Sequence, residues 1–304
     1  MWKVKVLAQF ILSHLPKGER LNYALQKVNN SFSSENIADR ILHLVRILEF
    51  LSRYVAIEGS IVVEVGTGWE PISTFLFYLF GAETVYTFDH LPHARFKIAQ
   101  RVVEQIQNQI EEIHSITSIP QSVLSERLMR VKGATNIEEF FALSHTVYKA
   151  PADATQTGLA DKSVDLVYSY AVLEHVSESV IGQLTLESKR ILKLEGMAFH
   201  SIGLHDHYAN FDHRLSNLNF LKYPEWLWRF FVKNKISYHN RLREKQFLSI
   251  FESHGAKIKE VRNKTNQSDL AALKTMKIDK RFAGMTDAEL AVHYSEILLS
   301  FNHE

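Results

Sequence analysis

Residues 60–90 read SIVVEVGTGWEPISTFLFYLFGAETVYTFDH, and the architecture is already legible in them. Ile61-Val62-Val63, followed by Glu64 and Val65, has the pattern of a short strand buried on both faces. At Gly66-Thr67-Gly68 the strand must turn sharply and let its backbone come close to a ligand. Pro71 stands where a helix begins and Gly81 where it stops, with Ile72, Phe75, Leu76 and Leu79 marking an apolar face between them. A second β-rich run, Thr84 to Phe88, ends in Asp89. The acid falls about twenty residues past the glycines, where nucleotide-binding βαβ units keep the carboxylate that holds a ribose. Strand, glycine turn, helix, strand and acid together predict an adenosine-type ligand site in the first crossover of a parallel sheet.

The rest of the chain is read around that unit. Its 304 residues allow one large core, with or without a small lobe. A net charge of +1 sets up no field that would draw in nucleic acid or an anionic membrane. The absence of cysteine excludes disulfides, thiolate nucleophiles and cysteine-based zinc sites, and agrees with a cytoplasmic location. The opening MWKVKVLAQFILSHLP mixes basic and apolar residues, but Gln9, Ser13 and His14 interrupt it too early for a signal peptide. Trp2, Val6, Leu7 and Phe10 could form a membrane-seeking face, yet the weak charge pattern favours a helix docked on the main domain. No run is long enough to span a bilayer.

Residues 1–58 predict an N-terminal helical lobe: Ile37, Ile41, Leu44, Leu48 and Leu51 recur at helical spacing after a Ser33-Ser34 cap signal. After Asp89, Phe96, Ala99, Val103, Ile106, Ile110 and Ile113 predict one long crossover helix in a segment closed by Pro120. Thr135-x-x-Glu138 predicts a capping box on a further helix. Thr146–Tyr148 reads as the third strand, leading to Asp153-Ala154, and Val164–Ser169 as the fourth, followed by Leu173-Glu174-His175. Ser177 caps the next helix, which runs to a turn at Leu194-Glu195-Gly196 before a fifth strand, Met197–Ile202. A sixth strand is expected at Ala256–Val261 and a last one at Ser295–Phe301. The alternation predicts an α/β, Rossmann-like, doubly wound and mostly parallel seven-stranded sheet, binding ligands beyond the carboxyl ends of its strands.

Two ligand classes compete for the glycine turn. A nicotinamide or flavin dinucleotide calls for a third glycine in G-x-G-x-x-G, and Pro71 stands there. The alternative rests on a likeness: Glu64-Val65-Gly66-Thr67-Gly68 resembles the E/D-x-G-x-G motif of class I S-adenosylmethionine-dependent methyltransferases, with Glu70 where many members carry a further glycine. Asp165, Val167, Ser169, Leu173, Glu174 and His175 resemble that family's "D-x-V-x-S … L-E-H" run, and Leu194–Gly196 its "L-K-P-G-G" turn. The chain is most similar to the small-molecule, type 11-like branch, over roughly residues 59–304. The resemblance implies S-adenosyl-L-methionine as cofactor, with Glu64, Gly66, Thr67, Gly68, Asp89, His90 and Ser169 around it and Asp153 and Ala154 at the adenine. It also implies an antiparallel last strand and an N-terminal lobe (1–58) that helps cover the substrate side of the methyltransferase domain (59–304).

The loop after the fifth strand concentrates His205, Asp206, His207, Asp212 and His213 close behind His200. Imidazole titrates near neutrality and can take a proton from a hydroxyl or amine, so His175, His205, Asp206 and His207 are the candidate catalytic residues. His205 and His207 would share one face of an extended strand, but no third ligand stands at a recognisable spacing, and no metal site is expected. Phe220, Tyr223, Trp226, Trp228, Phe230 and Phe231 belong to an insertion at about 203–242, read as a helical substrate lid whose rings chiefly pack on one another. Lys274, Lys277, Lys280 and Arg281 read as a solvated face. The expected activity is methyl transfer to an O, N or C nucleophile of a small-molecule or glycan-like acceptor, with no nucleic-acid partner. A methyltransferase fold kept for binding or scaffolding, favoured by Glu70, is the alternative; a nicotinamide-dependent oxidoreductase is third.

Overall fold

The structure is a computed structural model describing residues 33–210, 212, 214–232 and 238–302. The expected N-terminal face of Trp2, Val6, Leu7 and Phe10 lies outside the described residues, as do His213 and the side chain of Phe231. Among the described residues, seven strands form one mixed sheet in the order β3-β2-β1-β4-β5-β7-β6. They are β1 Ile61–Val65, β2 Thr84–Phe88, β3 Thr146–Lys149, β4 Val164–Tyr170, β5 Leu192–Gly203, β6 Ala256–Thr265 and β7 Val292–Phe301. The first four pair in parallel, Val63 lying beside Tyr86 on one side and Val167 on the other. Leu204 donates to the His293 carbonyl and the Ser201 hydroxyl meets that of Tyr294, so β7 begins where β5 ends and runs against it. The expected doubly wound sheet with an antiparallel last strand is present. No described helix is long and apolar enough to cross a membrane.

The described residues divide into two compact units. One comprises Asn30–Ser169, Leu186–Phe199 and Ser300–Glu304. Its helix α1 (Ser34–Leu51) is capped by the Ser33 side chain and buries the periodic Ile37, Ile41, Leu44, Leu48 and Leu51. Helix α2 (Ile72–Leu79), which follows Pro71, is buried along its whole length because it fills the crossover between two buried strands. The long helix expected after Asp89 is instead two, α3 (Phe96–Asn108) and α4 (Ile110–Thr117), because the Gln109 backbone leaves the helical region while its side-chain amide donates to the Ala38 carbonyl of α1. Helices α5 (Gln121–Lys132) and α6 (Ile137–Leu143) complete this part. The α6 cap sits one residue later than expected: Asn136 accepts from the Glu139 amide, and Glu139 answers to Thr135.

A turn at Leu194–Gly196 does not form. Helix α7 (Glu178–Ile191) passes directly into β5, and Gly196 does not take the left-handed conformation that such a turn requires. Lys193 is instead held in the strand by Asp165, whose carboxylate also accepts from the Ile61 amide.

The second unit comprises Tyr170–Thr185 and His200–Leu299. It includes α8 (Glu225–Val232), α9 (Glu244–Ser253), α10 (Gln267–Leu273) and α11 (Asp287–Ala291). Phe220 and Trp228 lie in a buried apolar cluster with Tyr208, Leu218, Leu221 and Phe282, so these rings pack rather than line a surface. Trp226 and Phe230 are exposed. Lys274, Lys277, Lys280 and Arg281 are exposed, in keeping with a solvated face. Two fully buried arginines had no counterpart in the sequence reading. Arg241 donates to the carbonyls of Phe220 and Tyr223 and to Glu225, while Arg243 donates to those of Leu204, Leu290 and Val292. A guanidinium's five fixed donors satisfy carbonyls in turns and at the ends of helices and strands.

Candidate active site

The expected nucleotide-binding residues lie in the first unit. The Gly66 amide donates to the Phe88 carbonyl (2.8 Å), and Gly66 (φ +84°) and Gly68 (φ +65°) both take the left-handed backbone that glycine tolerates. A Cβ built on Gly68 meets nothing within 4 Å, so the turn borders open space at the position where a ligand backbone is expected. The Gly68 amide donates to Asp89 Oδ2 (2.8 Å). The Leu91 amide and the exposed His90 Nδ1, at 3.3 and 3.0 Å, reach Asp89 Oδ1. Burial raises the Asp89 pKa, but the bonds from His90 and Gly68, the nearby His93 and the Leu91 amide outweigh it, and the carboxyl sits below its ordinary range. It therefore stays ionised, with lone pairs on both oxygens beyond these bonds.

Glu64 has a different setting. It is buried, and its Oε2 accepts from the hydroxyls of Thr74 and Thr87, while Thr87 also meets the Thr67 hydroxyl at 2.6 Å. Desolvation raises its pKa to about 7 against those hydrogen bonds. Glu64 and Thr67 thus brace the turn from within. Glu70, in the place of a further glycine, pairs with Arg40 of α1 at 2.7 Å. Asp153 caps its own turn, accepting from the Thr155 amide and hydroxyl. Ala154 follows it in that turn. Ser169 is buried on β4, paired with Val65.

The histidine group lies in the second unit. His175 and His207 have ring centroids 5.0 Å apart, His205 and His207 also 5.0 Å, and His207 and His239 4.7 Å. The Tyr238 carbonyl lies 2.8 Å from His175 Nδ1 and accepts a hydrogen bond from its N–H, which leaves the lone pair on Nε2. Glu174 is 1% exposed; its Oε1 accepts from the Gly203 amide, and Oε2 has no partner. Burial raises its pKa, against the nearby His175 and the backbone. Burial likewise lowers the pKa of His205, and that of His239 well below the ordinary value, the neighbouring imidazoles adding to the effect at His239. Asp206 is turned inward: it accepts from the Tyr208 amide and the Asn219 side chain, and burial raises its pKa to about 6.

The structure therefore brings His175, His205 and His207 together and sets Asp206 apart as the residue that shapes their loop. Sequence reading missed His239, Arg40 and Thr87 as parts of these arrangements. Thr87 lay in plain sight, since it alternates with Phe88 on the strand carrying Asp89. His239 carried no local signal.

Residues 63–200 match the family model described as a methyltransferase domain. No curated protein matches the chain. Among solved structures, geranyl diphosphate C-methyltransferase from Streptomyces coelicolor A3(2), in complex with Mg2+, geranyl diphosphate and S-adenosyl-L-homocysteine, is 12% identical over 83% of this chain and 77% of that one, with a TM-score of 0.44. An S-adenosylmethionine dependent methyltransferase from Mesorhizobium loti is 14% identical over 84% and 97%, also with a TM-score of 0.44. The match thus places a methyltransferase domain on residues 63–200, the span that holds the glycine turn and Asp89.

Proposed function

We propose that the protein transfers a methyl group from S-adenosyl-L-methionine to an O, N or C nucleophile of a small-molecule or glycan-like acceptor. The observation that carries this reading is the open left-handed turn at Gly68 beside the ionised, buried carboxylate of Asp89. These residues fit the cofactor: the glycines let its backbone approach, Asp89 accepts from the ribose hydroxyls, and Asp153 with Ala154 borders the adenine. Thr67 and Glu64 hold the turn in shape, His90 flanks Asp89, and Ser169 fills the strand beside Val65. When bound, the cofactor supplies a methyl group on a sulfonium, which is already activated for transfer. The protein's task is then chiefly to position the acceptor and remove a proton where one must leave. His175, His205 and His207 follow the carboxyl ends of β4 and β5, the edge beyond which open parallel sheets bind ligands, and they are assigned to the acceptor. Glu70, the feature that favoured a non-catalytic scaffold, is held by Arg40.

Calorimetric titration with S-adenosylhomocysteine tests the reading. Wild type should bind with micromolar affinity. Asp89→Ala, which removes charge-assisted hydrogen bonds of roughly 1.5–3 kcal/mol, should weaken binding by about 10- to 150-fold. No binding to folded wild type, or equal binding by both proteins, would overturn it.

A further inference from the structure

We propose that Glu174, His175 and His207 bind one divalent first-row transition-metal ion, zinc being the best match to their chemistry. Each offers one ligand atom, and the three atoms lie within 4.8 Å of one another, close enough to converge on one ion. Such a site is a function beyond methyl transfer, and all three of its ligands belong to one unit.

Three features separate this group from an ordinary cluster of polar residues. The first is an unmet need: Glu174 Oε2 is buried without a hydrogen-bond partner, and so are both ring nitrogens of His239, a residue only 6% exposed. Buried polar atoms are nearly always partnered, and a cation beside Glu174 would satisfy its oxygen. The second is the orientation of His175. The carbonyl that accepts from its Nδ1–H fixes the tautomer as metal-bound imidazoles require, and a carboxylate or carbonyl behind the ring is the usual partner. The third is the anchoring of the carboxylate itself, whose Oε1 is fixed by the Gly203 amide.

Ligand type selects the metal. Two imidazoles and one carboxylate suit zinc and its neighbours, whereas magnesium and calcium favour sites made wholly of oxygen. Glu174 is buried, His207 half-buried and His175 exposed, so one side of the group opens to solvent. Three protein ligands with an open position are the pattern of a reactive zinc site rather than a closed structural one. The open position would take an oxygen donor, a hydroxyl or carboxylate of the acceptor. His239, its ring 4.7 Å from that of His207, stands behind the group as a further imidazole.

The test uses the full chain after treatment with a chelator and dialysis, titrated with Co2+ by visible absorption and with Zn2+ by calorimetry. One equivalent of Co2+ should bind with ligand-field bands and be displaced by Zn2+. His175→Ala and His207→Ala should each weaken binding by at least about tenfold while circular dichroism stays unchanged. Because Glu174 is buried, the two histidine variants carry the test, and His114→Ala, remote in sequence, is the control. No stoichiometric binding by wild type, or binding by both histidine variants equal to that of wild type, overturns the proposal. So does binding lost instead in His90→Ala, which would put the ion at Asp89, His90 and His93, the other group of suitable geometry among the described residues. S-adenosylhomocysteine titrated into the same samples reads the cofactor site separately, so failure of one claim is distinguishable from failure of the other.

Discussion

Glu64 should make the protein less stable as the pH rises from 4.5 to about 7, and Glu64→Gln should abolish that dependence. The carboxyl is buried between Thr74 and Thr87, and desolvation lifts its pKa from 4.5 to about 7. In the unfolded chain the group titrates near its ordinary value. Between the two values the folded protein therefore binds more protons than the unfolded one, and stability falls as pH increases. The loss begins near the unfolded pKa and levels off above the folded one. At about 1.4 kcal/mol per pH unit, the gap from 4.5 to about 7 corresponds to about 3 kcal/mol. Glutamine cannot ionise, yet its amide oxygen can still accept from the two threonines. Urea unfolding of both proteins at intervals from pH 4 to pH 8.5 gives their stability difference, in which the other titrating groups cancel. That difference should move by about 3 kcal/mol in favour of the Glu64→Gln protein as pH rises, most of it between pH 5 and pH 7. A difference that stays flat within about 0.5 kcal/mol across the range would mean that Glu64 is solvated, and would refute the picture of a sealed brace beneath the glycine turn.

Two further substitutions probe the same framework. Gly68→Ala meets no clash but must hold a left-handed backbone, so it should cost about 1–2 kcal/mol in chemical denaturation and weaken S-adenosylhomocysteine in calorimetry by more than that strain explains. Arg243→Ala strips the donors from the carbonyls of Leu204, Leu290 and Val292, and should lower stability by about 3 kcal/mol or more in the same denaturation assay.

The parallel half of the fold was legible because its strands are short runs rich in β-branched and aromatic residues, the central β1 and β4 being largely buried. Ile61–Val65 and Thr84–Phe88 fall where the sequence puts them, and the left-handed turn follows from Gly66 and Gly68. Periodicity failed where the decisive contact was distant. The apolar repeat runs unbroken from Phe96 to Ile113, but the bend at Gln109 is tied to the Ala38 carbonyl, 71 residues away. No window centred on the helix contains that partner. The same holds at Lys193, which is drawn into β5 by Asp165 of a neighbouring strand, in place of the expected turn.

The histidine group is a third case, lying between these two. Spacing rules for metal ligands work when one helix or one turn supplies the geometry, and they find nothing in Glu174, His175 and His207. Here the geometry comes from the sheet. Glu174 and His175 follow the end of β4, His205 and His207 follow the end of β5, and those strands are neighbours, the Ala171 amide donating to the Ser201 carbonyl. Given adjacent parallel strands, residues at equivalent distances past their carboxyl ends are bound to meet. The useful search is therefore across the ends of neighbouring strands, where Glu174 and His175 past β4 stand beside His207 past β5. His239 escapes even that rule, because it reaches the group from the loop ahead of α9, whose path no strand order dictates.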